Sequence, residues 1–447
     1  MNKSLVEGPI WQRMIIFSLP ILFGSFFQQL YNTVDAVVVG QFLGKGALAA
    51  VGGSTGIIFW LIVSVFQGLS SGAGVVIAQY VGKQDKSNVE KSINSAIIIA
   101  FTLGFIIMFI FLPLVPFVIK LVDTPIDIFN DSVIYLKCLI YGLVPNLLCS
   151  MGTVILHAIG NSKVPFFFLI CSTFTNIVLD ILFVTRTSLG VAGVALATIL
   201  SQTLSTILIY TYLYKKLHMI KISKMFFKID PYIFKRMIKI GFPAGFQSLS
   251  LAVTNLAIQS RINVLGTDFS ASNAAFCKIG NLYWMITGAL VLSLVTFISQ
   301  NYGAGKIDRI KKGLKEGFLL YVIAYICVFI LFFSFGRFFL SIFINDESII
   351  KIGMLILTIN TITYIFYMPV DILSGALRSL GDVKAPSLFT FFGICLLTVL
   401  YNVFIFPLKP SIVTVLMCYP VTWIITSIMY VTYYFKTSKM HMLLNCK

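Results

Sequence analysis

Apolar runs long enough to cross a bilayer recur along the whole chain, each bounded by Gly, Pro or charged residues. They fall at about 14–40, 50–80, 92–119, 131–157, 165–184 and 190–214, and again at about 236–264, 274–302, 314–343, 350–377, 386–407 and 411–435. A helix needs roughly 20 apolar residues to span the hydrocarbon core. The pattern therefore predicts an all-α membrane protein with twelve transmembrane helices. Several runs are longer than a straight crossing requires, which implies tilt or bending.

The second six runs repeat the first when the sequence is slid by roughly 220 residues. FSLPILFGSFFQQLYN at 17–32 meets IGFPAGFQSLSLAVTN at 240–255, pairing Pro20 with Pro243 and Asn32 with Asn255. AQYVGKQD at 78–85 meets SQNYGAGKID at 299–308, and ILHAIGNSKVP at 155–165 meets ALRSLGDVKAP at 376–386. Six is an even number, so both halves enter the membrane from the same side. A pseudo-twofold along the membrane normal should relate two six-helix bundles. The expected organisation is an N-terminal lobe at 1–214, a basic linker at 215–235 and a C-terminal lobe at 236–447.

Composition agrees with the pattern: 58% of residues are hydrophobic, 11% are charged and the mean hydropathy is +0.96. Soluble domains carry about 25% charged residues, so this surface belongs in lipid. The net charge of +17 comes largely from basic clusters between apolar runs, Lys215–Lys239 and Lys306–Lys315, which lack an aromatic stacking surface. Such loops mark the cytoplasmic side rather than a nucleic-acid partner. With both termini cytoplasmic, the inside loops and tails hold 24 of the 33 Lys and Arg residues. The acidic loop Asp123, Asp127 and Asp131 then faces outward. The eight cysteines form no CxxC or Cys/His cluster, so no disulfide framework or metal centre is expected. Lys3, Glu7, Pro9 and Trp11 read as a lead-in to the first span rather than a removed signal peptide.

Three acidic residues, Asp35, Asp180 and Asp371, fall well inside spans. A charged group at the bilayer centre costs about 2.5–3.5 kcal/mol on insertion scales, so each should face a cavity or a partner. A structural carboxyl tied to neighbouring helices is the plain alternative for each. In the first span Gln28, Tyr31, Asn32 and Asp35 share one helical face. In the fifth, Asn176 and Asp180 are four apart, and Thr198 lies on the sixth. Two carboxyls with an amide and a hydroxyl suit either a dehydrated Na⁺ or a shared proton. Asp371 in the tenth span has Tyr367 one turn before it and Pro369 between, with no second carboxyl clearly accompanying it. No nucleophile–base pair, phosphate-cradling loop or HExxH pattern occurs, so an enzyme is not expected.

These motifs in this order resemble the MATE (multidrug and toxic compound extrusion) family of the MOP superfamily. The residues that carry the likeness are the P…QQLYNTVDAVVVGQFLG first span, the Q-x-x-G ends at Gln79–Gly82 and Gln300–Gly303, NIVLD at 176–180 and the two G-[ND]-x-K-x-P turns. The resemblance implies export of amphipathic, often cationic compounds by alternating access, coupled to H⁺ or Na⁺, without a cofactor or a metal beyond that Na⁺. It implies a cation site at Asp35, Asn176, Asp180 and Thr198, with Gln28, Tyr31, Asn32 and Tyr135 near the substrate. Another branch uses a Glu on the seventh helix with a Tyr-x₃-Asp on the tenth. Tyr367 and Asp371 match the latter, but the span at 236–264 has no acidic residue. A monomer in a bacterial or archaeal cytoplasmic membrane is the expected setting. The competing reading is a lipid-linked oligosaccharide flippase of the same superfamily, whose pyrophosphate substrate would want a cationic cavity instead of an acidic one.

Overall fold

The structure, a computed structural model, describes residues 5–122, 124–215, 229–344 and 346–436. Residues 216–228 of the expected linker, and Lys3, Asp123 and Cys446, lie outside them. Among the described residues every regular element is a helix. The first half contains α1 (Ile10–Val38), α2 (Gly44–Gly52), α3 (Ser54–Gly82), α4 (Lys86–Leu121), α5 (Ile126–Tyr141), α6 (Leu143–Ala158), α7 (Lys163–Arg186) and α8 (Val191–Lys215). The second contains α9 (Pro231–Leu265), α10 (Thr267–Gly303), α11 (Ile307–Ser341), α12 (Glu347–Ser379), α13 (Lys384–Thr390), α14 (Leu397–Leu400) and α15 (Ile412–Lys436). Short π segments join α1 to α2 at Val39–Leu43 and interrupt the run after α13 at Phe391–Leu396 and Tyr401–Ile405.

Among the described residues ten spans are long and apolar enough to cross a membrane, counting Ile10–Gly52 and Lys384–Leu408 as continuous. The pair α5 and α6, bent by 50°, makes eleven. The remaining expected run, 236–264, forms α9, whose 35 residues are ample in length. Its composition sets it apart, because Gln247, Ser248, Ser250, Thr254 and Asn255 place polar groups along its middle. Gln247 is nonetheless satisfied within the protein: its Nε2 donates to Ser374 Oγ at 3.0 Å and to Thr390 Oγ1 at 2.9 Å. In membrane-embedded helices such inter-helix bonds replace the water the side chain gives up.

The run expected as one span at 131–157 bends at Gly142. Pro145, two residues into the new helix, lacks the N–H that would continue the α5 ladder. Gly142 also packs tightly on α8: a β-carbon there would overlap the side chain of Ile199. Gly142→Val is therefore expected to destabilise the protein by about 1–3 kcal/mol through overpacking. Thermal unfolding of purified protein in detergent would detect this, and an unchanged midpoint would show that α8 yields without cost.

The two aligned turns are built alike. Gly160 and Gly381 both adopt positive φ, +86° and +79°. Asn161 N–H bonds back to Leu156 C=O at 2.9 Å, and Asp382 N–H to Leu377 C=O at 3.0 Å. This closure of a helix C-terminus leaves Gly as the residue that fits. Pro165 and Pro386 then sit in the first turn of the next helix, where their missing N–H is harmless.

The described residues divide into two compact units, one within 19–241 and the other within 5–18 and 242–436. In the first unit, Ile58, Val115, Ile119, Leu136 and Ile140 form one apolar cluster, and Val39, Ala47, Tyr135, Leu139, Val191, Val194 and Ala195 form another. In the second, Tyr283 stacks on Tyr364 with ring centroids 3.9 Å apart, and Trp284 and Trp423 close around Tyr367.

Candidate cation site

Four of the sequence-predicted residues meet inside the first unit, carried there by three helices. α1 supplies Asp35, α7 supplies Asn176 and Asp180 on one face, and α8 supplies Thr198. Asn176 and Asp180 are fully buried, and Asp35 is 8% exposed. Both neighbours of the Asn176 amide are carboxyl acceptors, which orients its nitrogen toward them. So placed, it donates to Asp35 Oδ1 at 2.8 Å and to Asp180 Oδ2 at 3.2 Å. One amide thus bridges carboxyls from two helices.

The carboxyl groups of Asp35 and Asp180 also lie within hydrogen-bonding reach of each other. Such a contact needs a proton between them, or a cation to offset their mutual repulsion. Asp180 Oδ1 is buried and receives no donor among the described residues. A buried acceptor left without a donor costs about 1–3 kcal/mol. That vacant lone-pair direction, with the oxygens of Asp35 and Thr198, fits a proton or a small hard cation. Among the described residues no group of three His, Cys, Asp or Glu side chains is assembled.

Tyr31 is buried one turn before Asp35, and its hydroxyl donates to Thr198 Oγ1 at 3.1 Å. Tyr135 of α5 is buried as well and lies within electrostatic range of both carboxyls. Gln28 and Asn32, by contrast, are exposed. The polar stripe read from the sequence is therefore split lengthwise: Tyr31 and Asp35 turn toward α7 and α8, and Gln28 and Asn32 do not. The structure brings together Tyr31, Asp35, Tyr135, Asn176, Asp180 and Thr198, and leaves those two outside the buried cluster.

Asp371 belongs to the second unit and has different company. Tyr321 Oη donates to its Oδ2 at 3.1 Å, and Tyr321 in turn lies 3.1 Å from the hydroxyl of Tyr283. If Tyr321 gives its proton to Asp371, Tyr283 must donate to Tyr321, so the chain of hydroxyls has a direction. Tyr367 packs its ring between Trp284 and Trp423, at 5.3 and 5.2 Å. Tyr283 and Tyr321 escaped the sequence reading, since tyrosines are frequent in these apolar runs and nothing in spacing links residues on three separate helices.

An all-helical protein of two repeated halves, long apolar spans and a buried carboxyl pair belongs to the class of polytopic membrane transporters. The sequence model of the MatE family matches residues 20–182 and 243–404, once in each half. The chain belongs to the MatE family. It is 26% identical to the probable multidrug resistance protein YoeA of Bacillus subtilis over 393 residues, covering 86% of this chain and 84% of that protein. It is 24% identical to the probable multidrug resistance protein NorM of Thermotoga maritima, covering 86% and 83%. Among solved structures, a crystal structure of MATE in complex with MaL6 superposes with a TM-score of 0.90 at 20% identity over 100% of both chains. A MOP superfamily transporter from Pyrococcus furiosus gives the same three values. Those structural likenesses speak for the fold.

Proposed function

We propose that this protein is a cation-coupled exporter of amphipathic, often cationic organic compounds, in which Asp35, Asn176, Asp180 and Thr198 hold the coupling ion. The observation that carries the reading is the buried pair of carboxyls bridged by the Asn176 amide. Relatives named as multidrug resistance proteins support the substrate class. In this reading the chain crosses a bacterial or archaeal cytoplasmic membrane with both termini inside, works as a monomer and needs no cofactor.

The ion, H⁺ or Na⁺, enters from outside and binds one conformation more tightly than the other, and that difference is what drives substrate outward by alternating access. Tyr31 and Tyr135 flank the carboxyls and, with Gln28 and Asn32, form the substrate-facing surroundings. Carboxyls attract organic cations and aromatic faces stack on them. Ion and substrate then compete for one region of the first unit. Asp371, held by Tyr321, is assigned a supporting role, and coupling is concentrated in the N-terminal half. An acidic centre of this kind weighs against a pyrophosphate-bearing lipid as cargo.

Reconstituted vesicles with Na⁺ and pH gradients imposed independently test this directly. Export of a fluorescent cation such as ethidium should follow one gradient and ignore the other. Transport indifferent to both would refute ion coupling.

A further inference from the structure

Two guanidinium groups meet at Gly8. Residues 5–18 belong to the second unit, together with α10 and α11, and Gly8 leads the chain into α1 with a φ of +80°. A β-carbon there would lie 3.0 Å from Arg13 Nε and 3.2 Å from its Nη2. Arg309 reaches the same residue: its Nη2 donates to the Gly8 carbonyl at 2.7 Å and to the Leu5 carbonyl at 3.3 Å. Lys306 Nζ joins them, donating to Val6 C=O at 3.2 Å.

These cations are held in place but not neutralised. Leu5 is buried, which anchors the segment, and the Arg309 guanidinium lies 5.5 Å over the Phe297 ring. Arg309 commits Nη2 to the two carbonyls, while its Nε is buried without an acceptor and its Nη1 takes no bond among the described residues. The Arg13 guanidinium likewise makes no hydrogen bond or ion pair among them. The nearby carboxylates do not close the gap. Glu316 accepts the Trp11 N–H at 2.8 Å, Glu7 and Asp308 are exposed, and none of the three lies within ion-pair distance of a cation among the described residues.

The cluster lies where exposed charge gives way to exposed apolar surface. On α11 the exposed residues change from Lys311, Lys312 and Lys315 to Leu319 and Ile323 within about two turns. On α1 the exposed Trp11 precedes Ile16 and Leu19, which are exposed too. In a bilayer-spanning protein such a boundary, with an indole at it, is where lipid headgroups sit. Guanidinium groups take phosphate oxygens through paired N–H donors, and two like charges in one place repel each other until an anion joins them.

We propose that Arg13, Arg309 and Lys306 form a binding site for the phosphate of an anionic phospholipid, at the bilayer surface beside the starts of α1 and α11. The Arg13 fork and Arg309 Nη1 supply donors to the phosphate oxygens, Lys306 adds a third charge, and the exposed apolar residues of α1 and α11 meet the acyl chains. Inorganic phosphate shares the polar contacts and lacks the apolar ones. A zwitterionic phospholipid brings a cation of its own, which the arginines repel. Each basic residue beside an anionic leaflet is worth about fivefold in affinity. The site uses neither the coupling ion nor the exported compound, so it stands apart from the transporter reading.

Purified full-length protein in detergent, titrated with dioleoylphosphatidylglycerol, dioleoylphosphatidylcholine or inorganic phosphate, tests this by native mass spectrometry of the bound species. One phosphatidylglycerol per chain is expected, held about tenfold more tightly than phosphatidylcholine and not displaced by millimolar phosphate. Arg13→Gln should weaken it about fivefold, and Arg13→Gln with Arg309→Gln about 25-fold. Lys384→Gln, which removes an exposed cation at the start of α13, should leave it unchanged. Equal retention of both lipids, or equal losses in Lys384→Gln and Arg13→Gln, would overturn the proposal and leave only a diffuse effect of net charge. Displacement by phosphate would make this a soluble-anion site and overturn the lipid assignment. If the variant carrying Arg309→Gln fails to accumulate, Arg13→Gln decides alone, because its guanidinium bonds no other part of the protein among the described residues.

Discussion

Asp35→Asn and Asp180→Asn are each expected to abolish gradient-driven export while leaving the protein in the membrane at its normal level. Asn matches Asp in size and keeps hydrogen-bonding capacity, so packing around α1 and α7 is preserved. What the substitution removes is the negative charge and the oxygen that, in the proposed reading, takes up the ion. Coupling free energies between ligands are typically about 1–3 kcal/mol, or roughly 5- to 150-fold in affinity. Loss of the whole term should bring ethidium export down by that factor, to the level of cells lacking the pump. The two variants should agree, because Asn176 bridges both carboxyls and neither forms the site alone. Export rates in cells, normalised to protein in the membrane, measure the effect. Normal ethidium resistance in both variants would sink the assignment of the site.

The pairing of Asn176 with Asp180, and of Tyr31 with Asp35, was legible in the sequence because the helical period alone puts residues four apart on one face. The repeat was legible for a similar reason: turns such as Gly160–Pro165 and Gly381–Pro386 demand the same residue types wherever they occur. Other features depend on which helix lies beside which. Period alone placed Gln28 and Asn32 with Asp35, but their side of the stripe is exposed. The bend at Gly142 was read as uninterrupted helix, since the reason for glycine there is Ile199, 57 positions away in sequence. Tyr321 and Tyr283 reach Asp371 from α11 and α10, a juxtaposition that no local spacing encodes.

Asn176 itself should matter almost as much as the carboxyls it joins. It is fully buried and is the neutral group that contacts both. Each hydrogen bond to a charged acceptor contributes about 1.5–3 kcal/mol, so removing two forfeits about 3 kcal/mol or more, on the order of 100-fold. Asn176→Leu keeps the volume approximately and leaves Asp35 and Asp180 facing each other without their shared donor. The carboxyls then tolerate proximity less well, and the geometry that receives the ion is lost with the bridge. The expected signature is specific: the concentration of coupling ion needed for half-maximal export rises steeply, and the ethidium KM at saturating ion stays near its parent value. Thr198→Val offers a graded comparison, because it removes a hydroxyl that accepts one neutral bond from Tyr31 at 3.1 Å. A neutral bond is worth about 1 kcal/mol, so its effect should stay near fivefold. Ion-dependence curves for both variants test the ranking. If Thr198→Val proved the more damaging, the ion would have to be held from the α8 side, and Asn176 would be a packing residue between two carboxyls.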